Sequence, residues 1–133
     1  MRFLGLIAAL LIAANGAQAQ ENTEIEGVIG SQLEAFNDRD IAGAWGFASP
    51  RIQQLFGDWR NFGMMVERGY PMVWDNADVE FLGLETRPQG AVQRVLVRDA
   101  AGLAHILEYA MIETADGWRI AGVQLLPAPD VGA

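Results

Sequence analysis

The sequence predicts an α+β domain, with N-terminal helices packed on a curved four-stranded antiparallel sheet. Three observations predict it. Apolar residues in the first half recur at helical spacing. Four strand-like segments follow, near 78–86, 91–99, 103–113 and 118–126. Their connections are short and rich in turn residues, and short links between consecutive strands produce an antiparallel meander.

The chain opens with the parts of a cleavable secretory signal. Arg2 supplies a basic start, Phe3 to Ala14 form an uncharged apolar run, and Ala17-Gln18-Ala19 is a small-x-small cleavage pattern. The run is shorter than the roughly 20 apolar residues a membrane span needs. Residues 1–19 are therefore expected to be a signal peptide, 20–126 a single domain and 127–133 an extended tail ended by Pro127 and Pro129. The protein is expected to be exported, to the periplasm or beyond, with no membrane anchor after cleavage.

The helices can be bounded from their caps. Thr23-x-x-Glu26 is a capping box that predicts a helix start, followed by the stripe Ile25, Val28, Ile29, Leu33 and Phe36. Asn37 to Asp40 interrupts the stripe, and Asp40 can cap a short helix carrying Ile41, Ala44, Trp45 and Ala48. Ser49-Pro50 pairs a cap with a proline at the first helical position. Asp58 can cap a further helix with Trp59, Phe62, Met65 and Val66 inward, stopped by Gly69. Tyr70 to Trp74 is expected to be extended, since a residue before proline avoids the helical region. Trp45, Trp59 and Trp118 are read as core.

The turns between strands are Arg87-Pro88-Gln89-Gly90, Ala100-Ala101-Gly102 and Ala115-Asp116-Gly117. If every hairpin is tight and no register slips, Leu82, Leu84, Val95, Val97, Ile106, Ile112, Val123 and Leu125 share one face. Val79, Phe81, Leu96, Leu107, Tyr109, Met111, Trp118 and Ile120 share the other. Both faces are then apolar, which points to a homodimer through the sheet or to strong curvature around a pocket.

Composition excludes several functions. The net charge is −8, and all nine basic residues are arginine. An acidic chain without a basic cluster is a poor partner for nucleic acid or for anionic membranes. No lysine means no Schiff base, and no cysteine means neither a thiolate nucleophile nor a disulfide. A single histidine argues against a zinc site, and no phosphate-cradling glycine motif occurs. No metal or other cofactor is expected.

Several stretches carry a resemblance: Ser31-Gln32-Leu33-Glu34-Ala35-Phe36, Phe47-Ala48-Ser49-Pro50, Gly69-Tyr70-Pro71-Met72-Val73-Trp74, Gln93-Arg94-Val95-Leu96-Val97, Asp116-Gly117-Trp118-Arg119-Ile120 and Gly122-Val123-Gln124-Leu125. On these the chain resembles exported bacterial proteins that carry the domain of unknown function 4864. More broadly it is similar to the nuclear transport factor 2-like, SnoaL-like superfamily of α+β cones. That superfamily includes isomerases, cyclases, dehydratases and noncatalytic binding modules. The resemblance implies the cone architecture and carries over no catalytic residue.

The candidates for chemistry come from the strands. His105 is the only side chain whose ordinary pKa lies near neutrality, so it is the first candidate base. It shares a face with Tyr109, four residues on, and Gln124 is expected beside Leu107 on that face. Glu108 points the other way, with Gln93 as its expected cross-strand neighbour, or Arg119 on the next strand. Glu80 is a further carboxylate on the strands. Arg94 and Arg98 share a face and are read as a solvated row or an anion contact. Tyr70, Trp74 and the Met64-Met65 pair are placed at the mouth of an apolar pocket or in the closure of the core.

Two functions follow. One is a noncatalytic exported module that binds an apolar small molecule or a protein partner through Tyr70, Trp74, His105, Tyr109 and Gln124. The other is a cofactor-free isomerase, lyase or cyclase with His105 or Glu108 as general base. The leader reading makes a direct prediction. Protein recovered from the exported fraction is expected to begin at Gln20, and intact-mass measurement checks this; a chain retaining Arg2 contradicts it.

Overall fold

A computed structural model describes residues 2–127, with side-chain environments from Gly16 onward. The apolar side chains of Phe3 to Ala14 and the tail beyond Pro127 lie outside the described ones. Five helices precede four strands: α1 Arg2–Asn37, α2 Ile41–Trp45, α3 Pro50–Phe56, α4 Trp59–Gly69, α5 Pro71–Trp74, β1 Asn76–Arg87, β2 Gly90–Asp99, β3 Ala104–Thr114 and β4 Gly117–Leu125. The sheet is an antiparallel meander in the order β1-β2-β3-β4. The predicted α+β class and helix-then-sheet order are what the chain adopts. Among the described residues no helix is long and apolar enough to cross a membrane.

The helix stripe holds the layers together. Ile25, Ile29, Leu33 and Phe36 of α1 are no more than 2% exposed, so one face of the helix is fully buried. Burying each such side chain contributes about 1.5–3 kcal/mol, which outweighs any single cap. That ordering explains one departure from expectation. Thr23 does not start a helix; α1 runs through it, and its Oγ1 donates to Ala19 O at 3.0 Å. The other caps form as read. Asp40 accepts from Gly43 N, Ser49 from Ile52 N and Asp58 from Arg60 N.

Two further local expectations are corrected. Tyr70 alone is non-helical (φ −134°, ψ 60°), and Pro71–Trp74 then forms the short helix α5 with the proline at its first position. The pre-proline restriction acts on one residue, not on the segment after it. Trp59 is not core: it is 37% exposed, and Arg60 lies over its ring at 4.8 Å.

The strand faces also differ from the slip-free assignment. Val95 pairs with Leu107 and Val97 with His105, so these valines face the helices, while Leu96 pairs with Ile106 on the outer face. Two irregularities re-aim the rest. Between Phe81 and Leu84 β1 carries an extra residue, so both side chains pack on the core despite their odd spacing. In β4, Ala110 pairs with Gly122 but Met111 with Ile120, leaving Ala121 as a bulge. Trp118, Ile120 and Val123 therefore all join the helix side. The outer face is left with Arg94, Arg98, Glu108 and Arg119 between Leu96, Ile106 and Ile112. It is a mixed surface, less apolar than the slip-free register implied.

Turn chemistry closes the hairpins as predicted. Gly90 has φ 151°, and a β-carbon there would overlap Met111 O, so glycine is required. A polar clamp then fixes the helices to β1. Asn76, 9% exposed, donates from Nδ2 to Leu33 O (3.0 Å) and Val73 O (2.8 Å), and its Oδ1 accepts from Asn37 Nδ2. Removing it takes a donor from the Leu33 and Val73 carbonyls and an acceptor from Asn37. Asn76→Ala is expected to cost about 2 kcal/mol, read as a lower urea midpoint with unchanged slope; no change in midpoint contradicts the clamp.

Candidate functional site

A cavity of about 270 Å³ lies between the helices and the sheet. Its helical wall comes from α1 (Gln32, Phe36), α3 (Ile52, Leu55, Phe56) and α4 (Phe62, Met65, Val66), with Tyr70 and Val73. Its sheet wall comes from Tyr109, Ile120, Gly122 and Val123. Ala48 closes the remaining side, where the α2–α3 loop pairs with the edge of β4: Ser49 N donates to Ile120 O and Ile120 N to Phe47 O. None of the lining residues bears a formal charge.

The sequence dictates much of the helical wall. Ser49-Pro50 starts α3, a helix with no buried residue of its own. Its Ile52 and Phe56 are partly buried against the core while Leu55 is exposed, and all three line the cavity. Leu55 is 74% exposed, a large apolar side chain standing in water where the cavity meets solvent. Behind it, Phe62 contacts three rings, those of Trp45 (5.4 Å), Phe36 (6.0 Å) and Phe56 (6.0 Å). Such pairs contribute about 0.5–1.5 kcal/mol each beyond area burial.

Two tyrosines supply the polar character. Tyr70 Oη donates to Val123 O at 2.9 Å, tying the end of α4 to β4. Tyr109 is fully buried, and its hydroxyl has no hydrogen-bond partner among the described residues. Burial pushes its phenol well above the ordinary value, and the neighbouring Tyr70 adds to the rise. The group is a neutral O–H with no acceptor, and leaving such a donor unpaired costs about 1–3 kcal/mol. Gln32, whose Nε2 donates to Ala44 O, also lines the cavity, but its Oε1, the atom that could accept, makes no hydrogen bond with the Tyr109 hydroxyl.

Of the candidate site residues read from the sequence, the cavity brings together Tyr70, Tyr109 and Met65. The others lie elsewhere. His105 shares the face of Tyr109 but sits at the far end of β3, with Nε2 2.8 Å from Asp99 Oδ2. Asp99 Oδ1 accepts from Ala101 N and Leu103 N, so the pair belongs to the β2–β3 turn. The hydrogen bond from His105 holds the Asp99 carboxyl below the usual range; desolvation opposes it and the two backbone N–H groups reinforce it. Glu108 accepts from Arg94 Nε at 3.1 Å on the outer face. Its partner is neither Gln93 nor Arg119, because the register sets Arg94 opposite it. Gln93 turns inward instead and donates to Leu82 O. Gln124, opposite Glu108, is exposed on the outer face; the bulge at Ala121 exchanges its side with that of Val123. Trp74 packs on Phe36 and under Arg39, whose guanidinium carbon is 4.4 Å from its ring, outside the cavity. Met65 lines the cavity while Met64 is exposed. Glu80 is exposed on the outer face, opposite Leu96.

Sequence reading missed Gln32, Phe36, Ile52, Phe56, Gly122 and Val123 as a common surface. Phe36 and Ile52 were legible as apolar helix positions, but bringing Val123 to the same side of β4 as Ile120 required the bulge.

A family model for the domain of unknown function DUF4864 matches residues 18–133. The chain belongs to this family. The fold of this chain is similar to that of a solved NTF-2-like protein of unknown function from Shewanella oneidensis MR-1, with a TM-score of 0.52 at 13% identity. The match covers 78% of this chain and 97% of that one, and at this identity it shows the fold alone. No curated protein matches the chain.

The unpaired phenol makes a stability prediction for this DUF4864 domain. Tyr109→Phe removes a buried donor without changing ring volume. The ligand-free variant is expected to match the parent or gain up to about 1 kcal/mol in urea unfolding. A loss larger than that means the hydroxyl is paired.

Proposed function

We propose that this domain is an exported binding module for a small apolar molecule, held in the cavity between the helices and the sheet. The observation that carries the reading is an uncharged cavity of about 270 Å³ with one unpaired hydroxyl in its wall. Specific small-molecule sites are mostly apolar concavities with few polar groups, and an apolar cavity of about 150 Å³ already holds benzene. A monocyclic or small bicyclic compound fits the size. The polar economy supports binding over proton-transfer chemistry. No carboxylate or imidazole lies among the lining residues, and both candidate bases, His105 and Glu108, are engaged outside the cavity.

The reading is tested by filling the cavity. Ile52 lines it and is only half-buried, so a larger ring can enter from the solvent side. Ile52→Trp is expected to keep the fold and weaken binding of small aromatic hydrocarbons at least about tenfold, a loss of roughly 1.4 kcal/mol. Calorimetry, with circular dichroism as the folding control, measures this. Undiminished binding places the ligand elsewhere.

A further inference from the structure

We infer that the cavity selects a neutral, largely apolar molecule carrying one hydrogen-bond-accepting oxygen, of the carbonyl class, which Tyr109 Oη engages as donor. The inference rests on the cavity being a binding site and names the chemistry it recognises. Three observations lead to it.

The first is the state of the two hydroxyls. Tyr70 Oη is occupied, donating to Val123 O, whereas Tyr109 Oη has no partner among the described residues. A fully buried donor without an acceptor is a group whose missing partner a ligand can supply. The second is the chemistry of that donor. Burial keeps the phenol protonated, so it presents O–H and not a phenolate. An accepting oxygen satisfies it; an ammonium or a second donor-only group does not. The third is the charge of the wall. No arginine, histidine or carboxylate lines the cavity, so an anionic acceptor such as a carboxylate would lose its hydration with no cation to replace it. What remains is a neutral oxygen on an apolar body. A site built to hydrogen-bond one group also discriminates against the analogue lacking it, because the protein's own group is then left unpaired.

The test is a two-by-two cycle on the purified full chain. Acetophenone and α-methylstyrene have nearly the same shape and differ in a carbonyl oxygen against a methylene. Each is titrated into the parent and into Tyr109→Phe, with dissociation constants from ligand-observed NMR. Comparing the two proteins for each ligand removes the difference in their hydrophobicity. Tyr109→Phe is expected to weaken acetophenone about tenfold and to leave α-methylstyrene within about twofold. If the substitution changes both ligands equally, or neither, the carbonyl preference is overturned, and Ile52→Trp reports separately whether the compounds bind in the cavity. Binding of α-methylstyrene without acetophenone has the same meaning. If neither compound binds the parent, the cavity is not a site for such molecules, and the binding reading falls together with this one.

Discussion

Ala121 has no partner across the β3–β4 ladder, and the cavity depends on that one extra residue. Side chains alternate along a strand with period two. Without the bulge, Ile120 and Val123 would lie on opposite faces. With it, both turn toward the helices, Gly122 comes to the cavity wall, and the carbonyl of Val123 accepts the Tyr70 hydroxyl. The same edge of β4 receives the α2–α3 loop through the paired hydrogen bonds at Ile120. Sheet, loop and helices therefore meet at a short irregular stretch of one strand.

The buried polar groups around this junction divide into two kinds. Asn76 has its amide donors and its oxygen engaged, and it fixes α1 and α5 to the first strand. Tyr70 and Gln32 are similarly occupied by backbone carbonyls. Tyr109 is the exception in the cavity wall. The Trp118 indole N–H on β4 is likewise unpaired among the described residues but does not line this cavity; leaving a buried donor unpaired has a local cost, and such costs concentrate where a protein engages something else.

Charge is kept away from the cavity by the same architecture. The register sets Arg94 against Glu108 on the outer face, and the β2–β3 turn gathers Asp99 and His105 at its own end. Both groups that looked catalytic by residue type are thereby engaged in local pairs. Inventory identified the right residue types for proton transfer, but proximity to a common point is what chemistry needs, and that is a property of register.

Much of the fold was legible in the sequence because its signals are local. Asp40, Ser49 and Asp58 cap their helices, the glycines at 90, 102 and 117 sit at the hairpin turns, and the stripe from Ile25 to Phe36 forms the buried face of α1. Each depends on residues within a turn or two of one another. Tyr70 was legible as an aromatic body with a polar tip at a pocket mouth, and Tyr109 as a strand residue sharing a face with His105. The tertiary structure decided the rest. It overrode the Thr23 cap, since a helix continues wherever no geometry stops it. It left Trp59 outside, since aromatic content does not say which side of a short helix meets the core. It chose the strand faces, since a single unpaired residue inverts every side chain beyond it and neither Ala121 nor the Leu82-Gly83 step announces itself as a bulge. Local chemistry determined which elements form; long-range pairing determined which of their side chains share the cavity.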